Sequence, residues 1–233
     1  MLNGAPIFAV LTGLVNDSRN GKTGPMAQLW IERADMHPQE AIRTGLDSAM
    51  CGNCALRGYL DPATGAWVER QCYLEIGKAV AMVWKAWARG IYPPATLDDF
   101  DRPSRLGAYG DPVAVPFERV AAVAKLSPRW TGYTHQWKTM EPRERADWQS
   151  LLMASCDTPD EKYWAESQGW RVFRTKAPGD ARLPGEKPCP AVPERSQVQC
   201  IGCPIACNGG TGPSLVLDVH GPGATHRAPE VTQ

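Results

Sequence analysis

Seven of the eight cysteines in this 233-residue chain fall into two groups whose spacing suits metal binding. Cys189, Cys200, Cys203 and Cys207 read C-x10-C-x2-C-x3-C. Four thiolates complete a tetrahedral zinc site, or hold the four corners of a [4Fe–4S] cluster. Zinc ribbons usually come as two C-x2-C knuckles. Here three cysteines crowd together and prolines follow Cys189 and Cys203, which is closer to a ferredoxin run. Iron–sulfur is therefore the preferred reading and zinc the alternative. Cys51, Cys54 and Cys72 are three ligands, one short of a closed site. Three thiolates leave one iron of a [4Fe–4S] cluster free for substrate, whereas zinc with an open position would activate water. A fourth ligand, with His37 and Cys156 as the candidates, would close the site and make it inert.

The elements that must position these groups are read from periodicity. Residues 105–109, 131–135, 151–155 and 170–174 read as short strands. Residues 115–125, 141–149 and the stretch after Asp157 read as helices between them, the last one ending at Gly169. This rhythm is that of β/α units, which form a parallel sheet covered on both faces. The predicted fold class is a single α/β domain over 1–233, a partial or complete parallel β/α barrel with cysteine-rich segments near its start and end. Upstream, the apolar stretch 5–15 reads as a first buried strand, 28–32 as another strand, and 38–44 as a short helix. Residues 73–89 form the longest helical pattern, so Cys72 is expected at its N-terminus, where the helix dipole favours a thiolate. Residues 175–213 form the second cysteine-rich segment, with 175–199 a loop and 214–219 a last strand; 221–233 reads as a flexible tail.

Parallel α/β folds carry their sites at the carboxyl ends of strands. Asp111 and His135 stand there as candidate catalytic residues, a general base and a proton shuttle or metal ligand. The bland alternatives are a turn carboxylate before Pro112 and a histidine bonded to the fold. Cys156 reads as a small buried residue, Asp157 as a helix N-cap, and Arg174 follows the fourth strand. Gly107 and Gly110 suggest close backbone approach. G-x-S-x-G, H-E-x-x-H and a phosphate-loop fingerprint are absent.

Composition narrows the partners. Twenty-five basic and 25 acidic residues cancel, which argues against a strong general grip on nucleic acid or an anionic membrane. No stretch approaches the roughly 20 apolar residues of a membrane span. The opening lacks the charged leader and cleavage site of a secretory signal, so a cytoplasmic location with reduced thiols is expected, and metal is preferred to disulfides.

The order C-x2-C, Cys72-Tyr73, a long helix, RLGAYGDP, TGYTHQW, LMAS-x-DTP and CP…C-x2-C-x3-C resembles a group of uncharacterised bacteriophage proteins, over roughly residues 20–210. The resemblance implies a cysteine-dependent partial barrel, distantly similar to radical S-adenosylmethionine enzymes, in the cytoplasm of an infected host. It thereby implies an iron–sulfur cofactor on Cys51, Cys54 and Cys72, S-adenosylmethionine as a further cofactor, and a small-molecule, nucleotide or nucleic-acid-related substrate. The spacing of these three cysteines differs from the C-x3-C-x2-C of radical enzymes, and only the cysteines carry over. The rival readings are a non-catalytic zinc-stapled barrel that binds a protein partner, and a zinc hydrolase. Two geometric expectations follow. The sulfurs of Cys189, Cys200, Cys203 and Cys207 should converge on one point, and the first group should share one end of the sheet with Asp111 and His135.

Overall fold

The computed structural model describes residues 2–72, 74–96, 100–192 and 197–219. Four strands at the centre follow the sequence rhythm: β5 (Ser104–Tyr109), β6 (Trp130–Thr134), β7 (Met153–Cys156) and β8 (Val172–Lys176), after β1 (Ile7–Thr12), β2 (Ala27–Arg33) and a small β3–β4 hairpin (Tyr59–Leu60, Trp67–Val68). Two later strands, β9 (Glu186–Pro188) and β10 (Ser214–Asp218), complete an eight-stranded sheet in the order β1-β2-β5-β6-β7-β8-β10-β9. Every pairing in it is parallel except β1 with β2. Among the described residues β1 and β9 do not pair with each other, so strand hydrogen bonds do not close the sheet.

The helices are α1 (Pro38–Arg43), α2 (Ser48–Cys51), α3 (Ala81–Ala88), α4 (Phe117–Leu126), α5 (Pro142–Leu151) and α6 (Pro159–Ser167). Alternation along the strands divides the sheet into two unlike faces. Leu106, Ala154, Cys156 and Val172 pack with Val120, Ala124, Trp148 and Ala165 of α4–α6 in the main core. The intervening residues, Arg105, Gly107, Tyr109, Thr131, Tyr133, Ser155, Phe173 and Thr175, line a cavity on the other face. The inner face is partly polar and is covered by the cysteine loops.

Several boundaries differ from the sequence reading for local reasons. β1 is an edge strand, with only Phe8 fully buried, rather than a buried one. Leu151 ends α5, so β7 begins two residues later than the apolar run suggests. The long helix begins at Ile76 with a five-residue π turn that passes into α3. Trp84 donates from its ring nitrogen to the Arg33 carbonyl at 2.9 Å, and Trp87 stacks on Phe8 with ring centroids 3.9 Å apart. The three-residue β9 lies where the sequence suggests a loop; its proline and charged residues suit a sheet edge. The tail 221–233 lies outside the described residues.

One buried group gives the fold a pH dependence. Glu32 on β2 is fully buried, and neither carboxylate oxygen has a hydrogen-bond partner among the described residues. Burial pushes its pKa up to about 8. The folded state therefore binds this proton more tightly than the unfolded chain does, and the group's contribution to stability is lost as pH rises from about 4.5 towards 8. At about 1.4 kcal/mol per pKa unit the loss is on the order of 3–5 kcal/mol. Glu32→Gln should flatten denaturant-derived stability across that window. An unchanged slope in the variant would show that Glu32 is not the titrating group.

Candidate metal centre and its cavity

All seven grouped cysteines line a single cavity of about 360 Å³ on the inner face of the sheet. All eight cysteines are free thiols, and no disulfide forms. Cys156 is the exception in place, since its side chain packs on the helix side of β7, where burial pushes its thiol up.

The first group is held at the carboxyl ends of β5 and β6. The Asp111 N–H donates to the Met50 carbonyl at 2.7 Å, which ties α2 and its last residue, Cys51, to the end of β5. Gln136 donates from its side-chain amide to the Cys51 carbonyl at 3.0 Å and accepts from the Asn53 N–H at 3.2 Å. Gly52 makes that contact possible: a Cβ there would fall 2.2 Å from the Gln136 amide oxygen. The Cys72 N–H donates to the Leu56 carbonyl at 2.8 Å, which brings the distant third cysteine beside the C-x2-C turn. The expected placement with Asp111 and His135 therefore holds.

Asp111 itself has its acceptor capacity filled. It accepts from the Val113 N–H (3.1 Å), the Thr134 hydroxyl (3.0 Å) and the His135 N–H (2.8 Å), with the Gln136 amide at 3.4 Å. Burial raises its pKa and these donors oppose the rise. This is the turn carboxylate before Pro112, and its geometry is that of a clamp between β5 and β6 rather than of a free base. His135 does face the cavity. It lines the cavity together with Cys54, and its Nε2 stands 3.4 Å from Asp157 Oδ2. Burial alone would lower its pKa, but Cys54 and Asp157 outweigh burial and hold it well above the ordinary value.

Asp157 is not the helix cap. Thr158 takes that place, its hydroxyl accepting from the Glu161 N–H at 3.2 Å while Glu161 reaches back to the Asp157 N–H at 2.8 Å. The Asp157 side chain instead turns inward, where it accepts from the Thr175 hydroxyl at 2.8 Å. Arg174 points away from the cavity into a buried ion pair with Glu186.

The second group sits lower, against the amino-terminal half of β5 and β6. The Gly132 N–H donates to the Cys207 carbonyl at 2.8 Å, and Tyr133 lines the cavity beside Cys207. Cys189 continues the sheet ladder, its N–H on the Val216 carbonyl at 2.9 Å. Cys200 is held by a chain segment far away in sequence, its N–H on the Lys22 carbonyl at 2.9 Å. Arg171 gathers the end of the loop through the Pro213 and Asn208 carbonyls at 2.9 and 3.2 Å. Gly209 lies so close to α5 that a Cβ would come within 1.9 Å of the Gln149 carbonyl oxygen.

The chemistry of the donors fits a thiophilic cation. Burial pushes the thiols of Cys51, Cys72, Cys189 and Cys200 up and that of Cys207 to about 12, so the protein alone keeps them protonated at neutral pH. A bound cation inverts this by deprotonating the thiols it coordinates. The Cys72 helix-dipole expectation is corrected, because the helix starts four residues later; what opposes burial there is Arg70 and the Leu74 N–H aimed at the sulfur. The Ala191 N–H does the same for Cys189. Lys22 and Arg105 bring positive charge to the second group. The Tyr109 hydroxyl, buried beside Cys51 and Cys72, has no partner among the described residues.

The expected convergence of the sulfurs is not met. Among the described residues no group of three or more His, Cys, Asp and Glu side chains is arranged to hold a metal ion as it stands. The sulfurs share a cavity wall instead of a point, and rotation about χ1 between staggered wells is the motion by which a cysteine sulfur relocates. Lys22, Arg105, Tyr109, Tyr133 and Asp157 went unnoticed or misplaced in the sequence. The signal for most of them was the every-second-residue pattern of polar and aromatic side chains in β5, β6 and β8.

No protein-family model, curated protein or solved structure matches this chain.

Proposed function

We propose that this chain is an iron–sulfur metalloprotein in which the cavity is a reaction chamber, with the sheet curled around it as a partial barrel. The observation that carries this is the gathering of seven free thiols from both ends of the chain around one cavity of about 360 Å³. Disulfide stapling or chance burial would not require both groups to face the same space. Cys51, Cys54 and Cys72 would hold the reactive cluster and Cys189, Cys200, Cys203 and Cys207 a second, structural or electron-transferring centre. A cluster in the first position supplies one-electron chemistry to a molecule bound beside it.

The residues of the chain divide the remaining work. Asp111 and Gln136 fix the first cysteine loop on the strand ends. Lys22 and Arg105 offset negative charge on the second group. The unsatisfied Tyr109 hydroxyl offers a hydrogen bond to whatever lies next to the first group. The cavity is at the small end of the range for ligand sites, which fits a small molecule or one flipped-out nucleotide and not a duplex. A nucleotide-type substrate for a radical reaction is the reading that the phage resemblance adds.

Anaerobic purification with iron and sulfide analysis tests this. The expected product is brown, with charge-transfer absorbance in the visible and iron and acid-labile sulfide in equal amounts. A colourless protein carrying zinc would replace this reading with the zinc-stapled barrel, and a protein with neither metal would remove both.

A further inference from the structure

We propose that His135 is the fourth protein ligand of the first cysteine site and that Asp157 is the positioning residue that orients it. The inference rests on the reading that Cys51, Cys54 and Cys72 bind metal, and it replaces an open site by one closed with three sulfurs and one nitrogen. The site would take zinc, or an iron whose imidazole ligand, unlike a fourth thiolate, adds no negative charge.

Placement is the first argument. Thr131, Tyr133 and His135 alternate onto the inner face, so the imidazole enters the cavity on the same side as the thiols. Its backbone and the cysteine loop are held by the same residues. Asp111 accepts from the His135 N–H, the Asp111 N–H holds Met50, and Gln136 holds Cys51 and Asn53. The backbones that carry the imidazole and the sulfurs are thus tied to one another, and all four side chains line the same cavity.

The second argument is the carboxylate behind the ring. Metal-ligating histidines donate their other ring N–H to a carboxylate, carbonyl or water, which fixes the tautomer and the ring plane. Asp157 stands 3.4 Å from the imidazole, and its other oxygen is held at 2.8 Å by Thr175. Thr158 and Glu161 perform the capping of α6 between them, so Asp157 is not needed there.

Elimination is the third. His37 is used at the start of α1, its Nδ1 accepting from the Gln39 N–H at 3.3 Å and its ring lying against Trp84. Cys156 points into the core behind the sheet. The Asp111 oxygens are already taken. A Cys54–His135–Asp157 trio by itself would also describe an activated thiol nucleophile. Two further half-buried thiols, Cys51 and Cys72, on the same cavity favour a ligand set.

Cobalt(II) titration of the reduced full-length apoprotein separates the possibilities. Wild type should take up two equivalents with thiolate-to-cobalt charge transfer and the intense d–d bands of tetrahedral coordination. His135→Ala should weaken one equivalent by 100-fold or more and leave the other unchanged. Asp157→Asn should weaken the same equivalent by about 10–100-fold. His135→Cys should restore uptake with increased charge-transfer absorbance, a gain that a merely structural role for His135 does not produce. Uptake of both equivalents with unaltered affinity and spectrum in His135→Ala would overturn the assignment. If Cys54→Ser also kept both equivalents, the underlying reading of the first group would fall with it; if Cys54→Ser lost one, that reading would stand and only His135 would be wrong.

Discussion

Cys200→Ala is expected to remove the metal of the second group and to lower the thermal midpoint by roughly 10 °C or more. Structural metal binding contributes directly to folding free energy, and for small zinc domains it amounts to about 10–16 kcal/mol. A chain of this size loses about 2–4 °C per kcal/mol, so even a fraction of that contribution is large. The effect should be largest here because the Cys200 segment is the bridge to residues 22 and 23, through the Cys200 N–H on Lys22 and the Ile201 N–H on Thr23 at 3.0 Å. Losing the metal frees a loop that otherwise joins the two distant parts of the chain. Cys54→Ala should remove the metal of the first group and lower the midpoint less. Differential scanning calorimetry with parallel metal analysis checks both, and equal effects of the two substitutions on stability would contradict the division of roles.

Arg174→Met should destabilise the protein by about 3–5 kcal/mol. The guanidinium forms a two-pronged pair with Glu186, at 2.6 and 3.0 Å, and the side chains are 1% and 0% exposed. Removing the cation leaves a buried carboxylate whose remaining hydrogen bond among the described residues is the Leu183 N–H at 2.8 Å. The pair also anchors the segment that leads through β9 to Cys189, so metal affinity at the second group should fall with stability. Arg174→Met combined with Glu186→Leu should recover most of the loss, since a buried pair replaced by apolar groups of similar volume is close to neutral. Urea denaturation of the single and double variants measures this. A double variant as unstable as Arg174→Met alone would show that the cost lies in packing and not in the stranded charge.

The β/α rhythm from β5 to β8 was legible because helix and strand periods differ and turn residues separate them. Boundaries failed where local signals were ambiguous. Leu151 to Ser155 is apolar throughout, and nothing in it marks where α5 stops and β7 starts. In Asp157-Thr158-Pro159 either of the first two residues can cap a helix, and choosing Asp157 hid a carboxylate that faces the site. The cysteine spacing showed two groups. It could not show that they face one cavity, because that depends on the sheet face each loop covers and on the pairing of residues 22 and 23 with 200 and 201, which are separated by most of the chain. The sequence offers Asp111 two tasks, general base and turn carboxylate before Pro112, and its hydrogen bonds are those of the second. Its hydrogen bonds come from Thr134 and His135, which only the parallel alignment of β5 and β6 brings near.

The central claim is that the cavity thiols hold metal as thiolates. X-ray absorption at the edge of the metal found in anaerobically purified protein tests it most directly. The predicted first shell is dominated by sulfur at about 2.3 Å, with a minor nitrogen contribution that disappears in His135→Cys. A first shell of oxygen and nitrogen alone, or protein that carries no stoichiometric metal, would contradict the account.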